Sequence, residues 1–336
     1  MRNENASLLV TIVIVYHANP SYLLRCLECL AAQTYTNFEI IVVDNGSIDG
    51  LQLGLEAEFP ALKISIKHLD KHLGFAAANN VATHLAAGSW IVLLNSDAFP
   101  QSDWLASLIN ASKQNPEFST FASRQLQANA PEAIDSAGDI YHVSGLAWKR
   151  FMGYPAAKYG LKQTEVFSAS GAAAMYMREA FLDVGGFDED FFSYFEDVDI
   201  GFRLQLRSNR CLYVPEAVVY HIGSATFGEK SDFAFYHSHR NLIWTYVKNM
   251  PSSMFWLYLP AHIMANVIYT VYYTLRGRGK VLWRAKIDAV RDLPKFIRKR
   301  RQLQARNLAT NSVLKKLMAK GVLQPYLLGY QMRRAK

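Results

Sequence analysis

Two stretches of the sequence carry acids in settings where they could do chemistry. In SWIVLLNSDAFP, residues 89 to 100, five apolar residues from Trp90 to Leu94 run into Asn95, Ser96 and Asp97. An unbroken apolar run of this kind suits an interior strand covered on both faces. A carboxylate just past such a strand is costly unless something pairs with it. A hard divalent cation is one partner, because Mg²⁺ takes one or two protein groups plus substrate phosphates. An Asx turn capping the next segment is the plainer alternative. In GGFDEDFFSYFEDVDIGFRLQLRS, the six acids Asp188, Glu189, Asp190, Glu196, Asp197 and Asp199 are interleaved with six aromatics. Aromatic side chains bury large areas, so some of these acids must sit at a partly desolvated site. There a raised pKa suits a general base. A helix from about Glu196 to Arg207 puts Glu196 and Asp197 in its first turn, where the macrodipole tolerates negative charge.

The elements that must hold these residues alternate along the chain. LLVTIVIVY, FEIIVVD, LKISIKH and WIVLLNSD read as strands, Asn19-Pro20 opens a helix, and GFAAANNVATHLAAG reads as a helix ending at Gly88. Alternation of this kind predicts an α/β fold, a Rossmann-like parallel sheet with helices on its faces. Ligands in such sheets bind outside the carboxyl ends of the strands, where Asp97 falls. The segment after the first strand is YHANPSY, which lacks the glycine pattern of dinucleotide binders, and no phosphate loop of the GxxxxGK[ST] type occurs. Dehydrogenase and NTPase readings are therefore disfavoured.

Half of the 336 residues are apolar, enough for one large or two medium domains. Charge is uneven: residues 276 to 336 hold 18 Lys and Arg against two acids, a net +16, whereas residues 1 to 275 carry −8. An acidic body followed by a basic segment points to a phosphate-bearing partner, an anionic membrane or a nucleic acid. The body itself is not a nucleic-acid binder by charge. Cys26, Cys29 and Cys211 imply a reducing compartment without disulfides. Cys26 and Cys29 lie in a helical pattern and read as a helix face rather than a metal site. The apolar run from Leu8 to Tyr16 follows only Arg2 and Glu4 and precedes no small-residue cleavage site, so it reads as a strand rather than a leader.

The series VTIVIVYHANPSYLLRCLECLAAQTYTNFEIIVVDNGSIDG, GFAAANN, LLNSDAFP, SGAAAMYMREAFLDVGGFDEDFFSYFEDVDIGFRLQ and VVYHIGSATFG resembles family 2 glycosyltransferases of the GT-A fold. The likeness is greatest to the rhamnosyltransferase-like branch of bacterial surface polysaccharide synthesis, over residues 8 to about 250. It implies transfer of a sugar from a nucleoside diphosphate donor with inversion, using Mg²⁺ or Mn²⁺. Residue by residue, it implies that Asp44 reads the pyrimidine and that Tyr16, Asn79 and Asn95 attend the donor. Asp97 matches the last acid of the D-x-D-like metal motif, whose first acid is Asn95 here, so the site has one carboxylate fewer. Asp197 matches the catalytic base, with Glu196 and Asp199 as secondary candidates. His221 matches a metal-binding histidine. The plainer readings are a turn for Asp44, capping or a link to Arg203 for Glu196 and Asp199, and a structural role for His221.

The expected organisation is a catalytic domain over residues 1 to 248, with a nucleotide-binding half to 125 and an acceptor half from 126. A helical, basic, membrane-associating segment follows from 249 to 336. Residues 126 to 165 read as a long, weakly periodic insertion shaping the sugar or acceptor pocket, with Trp148, Tyr154 and Tyr159 able to stack on sugars or simply to pack. Residues 249 to 275 contain no charged side chain and are long enough to span a bilayer. One crossing would put the basic segment opposite a body that needs cytoplasmic sugar nucleotides, against the positive-inside rule. The expectation is a helix lying in the interface, its basic continuation on anionic lipid. The expected partners are thus a nucleotide-sugar donor, dTDP-L-rhamnose first and UDP-sugars second, a lipid-linked glycan acceptor and an anionic membrane surface. The place is the cytoplasmic face of a bacterial inner membrane. Homo-oligomerisation is left open, and nucleic acid is not expected. A non-catalytic carbohydrate- or nucleic-acid-binding protein is the alternative of another class.

Overall fold

β1 (Val10–Tyr16) lies inside the sheet because its residues are apolar towards both faces: Ile12 and Ile14 enter one buried cluster and Val13 the other. β2 (Phe38–Asn45) pairs parallel with one side of it and β4 (Trp90–Leu94) with the other, while β3 (Ile64–Leu69) flanks β2. The crossover helices are α1 (Pro20–Ala31), the short α2 (Leu55–Glu58) and α3 (Gly74–Leu85). α1, with α4 (Trp104–Gln114), covers the face that holds Val42, Trp104 and Leu108. α3 covers the other face, beside Ile41, Ile91 and Phe181. In this computed structural model, residues 8–47, 54–223 and 231–321 are described.

The second half of the sheet departs from the parallel expectation. β5 (Ala98–Pro100), β6 (Phe118–Gln127), β7 (Ala130–Ser136), β10 (Thr164–Val166), β11 (Ala173–Met177) and β12 (Arg210–His221) join to give ten strands, in the order β10-β12-β6-β11-β4-β1-β2-β3 with β5 on β12 and β7 on β6. β11 runs antiparallel between β4 and β6. β6 and β7 are linked by a tight hairpin rather than a helix, and only a long crossover permits parallel pairing. The 126 to 165 stretch is accordingly no loose insertion. It is built of β7, the hairpin β8 (Asp139–Tyr141) and β9 (Ala147–Lys149), and β10. Tyr154 and Tyr159 pack edge to face with centroids 4.9 Å apart, and Trp148 lies 6.1 Å from the His142 ring. Two boundaries also shift: α3 stops at Leu85 instead of Gly88, and β4 stops at Leu94, where Ala98 N–H donates to Asn95 O at 3.0 Å.

α5 (Arg178–Asp183) leads to the acidic-aromatic loop and to α6 (Glu196–Leu206), within a residue of the expected helix. The remaining helices are α7 (Asp232–Asn249), α8 (Ser252–Tyr273), α9 (Gly279–Arg291), α10 (Leu293–Ala305) and α11 (Asn311–Leu317). They are stitched to the sheet-bearing body. Phe296 of α10 stacks on Trp244 of α7 at 4.3 Å, Trp244 Nε1–H donates to Ala289 O of α9, and Leu314 and Met318 join Tyr141 and Phe202 in one cluster. Ala319 N–H closes the circuit on Tyr141 O at 2.9 Å. The segment after residue 249 is thus packed on the body as far as residue 321. The rest of the basic stretch, 322–336, and the motif remnants at 48–53 and 224–230 lie outside the described residues.

Candidate active site

The expected nucleotide side chains sit where β1 and β2 end. Tyr16 and Asp44 are opposite each other in the parallel register, and both are buried. Asp44 accepts from Ser47 N–H at 3.0 Å through Oδ1, and Oδ2 lies 3.0 Å from Nδ1 of the exposed His68. The next residue, Asn45, ties the strand tip to the start of α3: its Oδ1 accepts from Leu73 N–H and its Nδ2 donates to Gly74 O. Gly74 has φ +83°, and a Cβ there would come within 2.5 Å of Phe192 O. Glycine is required at this crossing. Asn79 is buried in the middle of α3 and donates to Phe75 O, one turn back.

Asn95, Asp97 and His221 come together. β5 pairs antiparallel with β12, with His221 opposite Ala98, and Ile222 N–H donates to Asp97 O. Asp97 Oδ1 lies 3.4 Å from His221 Nε2, which is also 3.4 Å from Asn95 Nδ2. The other ring nitrogen, Nδ1, lies 2.9 Å from Asp135 Oδ2, and Lys149 Nζ binds both oxygens of Asp135 at 2.9 and 2.8 Å. An imidazole held by a carboxylate at one nitrogen is oriented to serve at the other. Burial alone would lower the His221 pKa, but Asp135 and Asp97 outweigh it and raise it. Burial would likewise raise Asp135, yet Lys149 and His221 hold it well below the usual carboxylate range. Asp97 Oδ and His221 Nε2 fit a divalent cation of the Mn²⁺ or Mg²⁺ type, an oxygen and an imidazole nitrogen facing one point. Among the described residues no group of three or more His, Cys, Asp or Glu side chains forms a metal site. The remaining ligands would have to come from elsewhere, as is usual where a cation bridges substrate phosphates.

Asp197 is delivered to the same edge by backbone contacts. Its Oδ2 accepts from Gly171 N–H at 3.0 Å and its Oδ1 from Val198 N–H at 2.8 Å. One residue on, Ala172 O accepts from Asn95 N–H at 2.9 Å. The acid therefore stands one peptide away from the tip of β4. α6 approaches this segment so closely that a Cβ on Gly201 would lie 2.2 Å from Ser168 Cβ. The turn before α6 is strained: Phe192, Tyr194 and Phe195 have φ of 65°, 68° and 68°. Such backbone persists only when its surroundings over-determine it. Here the buried Asn241 Nδ2 is within 3.0 Å of the Phe191, Ser193 and Tyr194 carbonyls, and Phe192 O accepts from Ala76 N–H. Burial raises the Asp197 pKa, and the Gly171 and Val198 amides and Lys149 partly offset this.

The two secondary acids differ sharply from Asp197. Asp199 is fully buried and bound by Arg203 Nε at 2.8 Å, Lys248 Nζ at 2.7 Å and Asn249 Nδ2 at 2.8 Å. It ties α6 to α7. Glu196 is buried, its Oε2 has no hydrogen-bond partner, and burial followed by the nearby Asp197 raises its pKa well above the usual value.

Three residues of the site escaped the sequence reading: Asp135, Asp139 and Lys149, all from the stretch taken as an insertion. Asp139 is buried, accepts from Ser168 Oγ at 3.0 Å, and is pushed far up in pKa by burial and then by Asp197. The available signal was the pair of acids in DSAGD, 135 to 139, which only the hairpin brings under β12 and α6.

Comparison with known proteins bears on the family and the fold. The family model described as glycosyl transferase family 2 matches residues 11–185. The chain is 28% identical over 240 residues to the N-acetylglucosaminyl-diphospho-decaprenol L-rhamnosyltransferase of Mycobacterium tuberculosis, covering 63% of this chain and 75% of that one. It is 27% identical over 226 residues to the O-antigen biosynthesis protein RfbC of Myxococcus xanthus, covering 65% of this chain but only 17% of that much longer protein. In structure it resembles the mannosyltransferase PcManGT from Pyrobaculum calidifontis, solved with GDP-Man and Mn²⁺, with TM-score 0.55, 16% identity and coverage of 96% of this chain and 86% of that one. A GT-A mixed sheet flanked by helices, with the matched stretch running from β1 through α5, is what these findings share, and the chain belongs to glycosyl transferase family 2.

Proposed function

We propose that this glycosyltransferase moves L-rhamnose from dTDP-L-rhamnose onto a lipid-linked glycan, with inversion, at the cytoplasmic face of a bacterial inner membrane. The observation that carries the reading is Asp197: an acid with a burial-raised pKa, fixed by the Gly171 amide one peptide away from the Asn95–Asp97 strand tip. In a single displacement, the acceptor oxygen bonds to the anomeric carbon as the bond from that carbon to the diphosphate breaks, and the acceptor proton passes to Asp197. Asp44 and Tyr16 hold the base, with Asp44 Oδ2 accepting the pyrimidine N–H in place of the exposed His68. Asp97 and His221 would hold a divalent cation, which would supply charge neutralisation to the departing diphosphate. Asp135 and Lys149 keep His221 turned towards Asp97, and Asp139, held by Ser168 Oγ, has its pKa raised by burial and then by Asp197. The sugar is read by residues 126 to 165 and the Ser168–Ala174 segment.

The lipid-linked acceptor is supported by the name of the mycobacterial relative, which specifies N-acetylglucosaminyl-diphospho-decaprenol. A UDP-dependent galactofuranosyl or hexosyl transfer differs at the base by room for one methyl group, worth about 1 to 3 kcal/mol. A donor panel decides between them. dTDP-rhamnose should protect the protein against heat and yield an α-linked rhamnose on a synthetic polyprenyl-diphosphate saccharide, with loss of turnover in EDTA. Turnover of UDP-hexoses or UDP-galactofuranose with none of dTDP-rhamnose overturns the donor. Full turnover in EDTA removes the metal role.

A further inference from the structure

α8 is anchored along its whole length by one side. Met254 and Ala265 are buried among the body's apolar clusters, and the buried His262 places Nδ1 2.8 Å from Ser144 O and stacks on Tyr246 at 4.0 Å. Asn266 Oδ1 accepts from Lys286 Nζ of α9, and Tyr273, at the far end, packs on Phe235 and His239 of α7. The opposite side is bare. Trp256, Pro260, Met264, Val267, Val271 and Leu275 follow one another at steps of three and four residues, which is a single stripe, and all are exposed. Leu275 reaches 83% exposure and Trp256 69%. After a bend at Gly277, whose φ is +81°, α9 adds Trp283, Ile287 and Val290 on its own outer face.

α8 alone extends about 33 Å at 1.5 Å per residue. It is, with its continuation, the one helix among the described residues long and apolar enough to cross a membrane by length and composition. Yet a helix held to the protein from Met254 to Tyr273 cannot leave it to cross a bilayer. An apolar band of this size is more than a soluble monomer ordinarily shows to water. Its border is basic: Arg276, Lys280, Arg284 and Arg291 are all exposed, and α8 bears no charged residue. Two acids share this border, yet the Arg284 and Arg291 side chains that pair with them stay 79% and 69% exposed. Asp288 binds Tyr236 Oη at 2.5 Å and faces Arg284 and Arg291, and Asp292 faces Arg291.

We infer that the outer faces of α8 and α9 form a monotopic docking surface for an anionic lipid bilayer, with α8 parallel to the membrane plane and the four basic residues on lipid phosphates. The inference rests on the membrane-face reading given above, and it specifies the surface, its orientation and its lipid charge. Partial insertion of one apolar face with a basic rim is the arrangement by which amphipathic helices lie in an interface. A second copy of the chain is the less suitable occupant, because a two-fold contact through this face would set its own arginines against their copies.

The test uses the whole chain and vesicles of phosphatidylcholine, with or without phosphatidylglycerol. Wild type should float with the phosphatidylglycerol vesicles, weaken as salt is added, and shift its tryptophan emission to shorter wavelength. The double variants Val267→Asp/Val271→Asp on α8 and Trp283→Ser/Ile287→Ser on α9 change only exposed positions. Each should lower vesicle binding at least about tenfold while heat protection by dTDP-rhamnose is retained. Unchanged flotation of both variants overturns the docking surface. So does a wild type that binds neither vesicle and runs as a dimer that Val267→Asp/Val271→Asp converts to monomer. Absence of nucleotide protection in a wild type that still floats would sink the donor reading and leave the docking surface standing.

Discussion

The strand-tip site and the outer face of α8 and α9 hold their side chains by opposite means. In the cleft each acid is fixed by specific atoms: Asp44 by Ser47 and His68, Asp135 by Lys149 and His221, Asp197 by two amides. On the α8 face the exposed side chains are apolar and stand clear of the body. One surface acts through the position of single atoms, the other through area and net charge. A change of one atom should therefore be felt strongly in the cleft and weakly on the face, and changes in either should leave the other's readout intact.

The sharpest way to break the contrast is Asp197→Asn, which keeps shape and removes proton acceptance. Transfer should fall by about 10² to 10⁴-fold, with heat protection by the donor and flotation on vesicles both unchanged. Collapse of donor protection along with turnover would return Asp197 to a positioning role. Asp135→Asn comes next: loosening the partner of a metal-binding histidine typically costs about 10 to 100-fold in metal affinity. Titration of Mn²⁺ by calorimetry in the presence of nucleotide should show it, and an unaltered affinity would make the Asp135–His221 contact purely structural.

A smaller effect is expected in the pH profile. Because burial raises the Asp197 pKa, the ionised base is present above that raised value and is lost as pH falls through it. The acid limb of kcat/KM should thus lie at higher pH than a free aspartate would give. Lys149 pulls the same pKa down, so Lys149→Met should move the limb further up in pH. A limb that stays in place would mean that another group controls it. Smallest of all is Lys280→Glu on the docking face. Each basic residue near an anionic membrane is worth about 1 kcal/mol, so vesicle binding should drop roughly five- to thirty-fold by losing one charge and adding its opposite. Turnover with a short, soluble acceptor should not move.

Much of the cleft was legible because its residues sit at the ends of strongly patterned strands. WIVLL is apolar on both faces and stops at Asn95, and FEIIVV stops at Asp44, so strand chemistry alone sends those side chains to the binding edge. The aromatics around Asp197 likewise announced a desolvated acid. The choice among the neighbouring acids was not legible. Asp197 and Asp199 lie two positions apart on one helix, and only the packing of α7 supplies Lys248 and Asn249 to Asp199 while Gly171 goes to Asp197. Asp135, in β7, and Lys149, in the three-residue β9, were invisible for a related reason: what gives both a role is a histidine more than seventy positions away.

The sequence by itself determined the parallel half of the sheet, the polar strand tips and the uncharged, then basic, character of the C-terminal helices, because these follow from local patterns of apolar and charged residues. Tertiary structure decided the mixed half of the sheet, in which β12 runs parallel to β6 while β11 runs antiparallel, the partners of His221 and which side of α8 is left bare. Those depend on contacts between segments far apart in the chain: α8 is apolar nearly all round, and only the arrival of Ser144, Tyr246 and Lys286 against one side of it leaves the other side for something outside the protein.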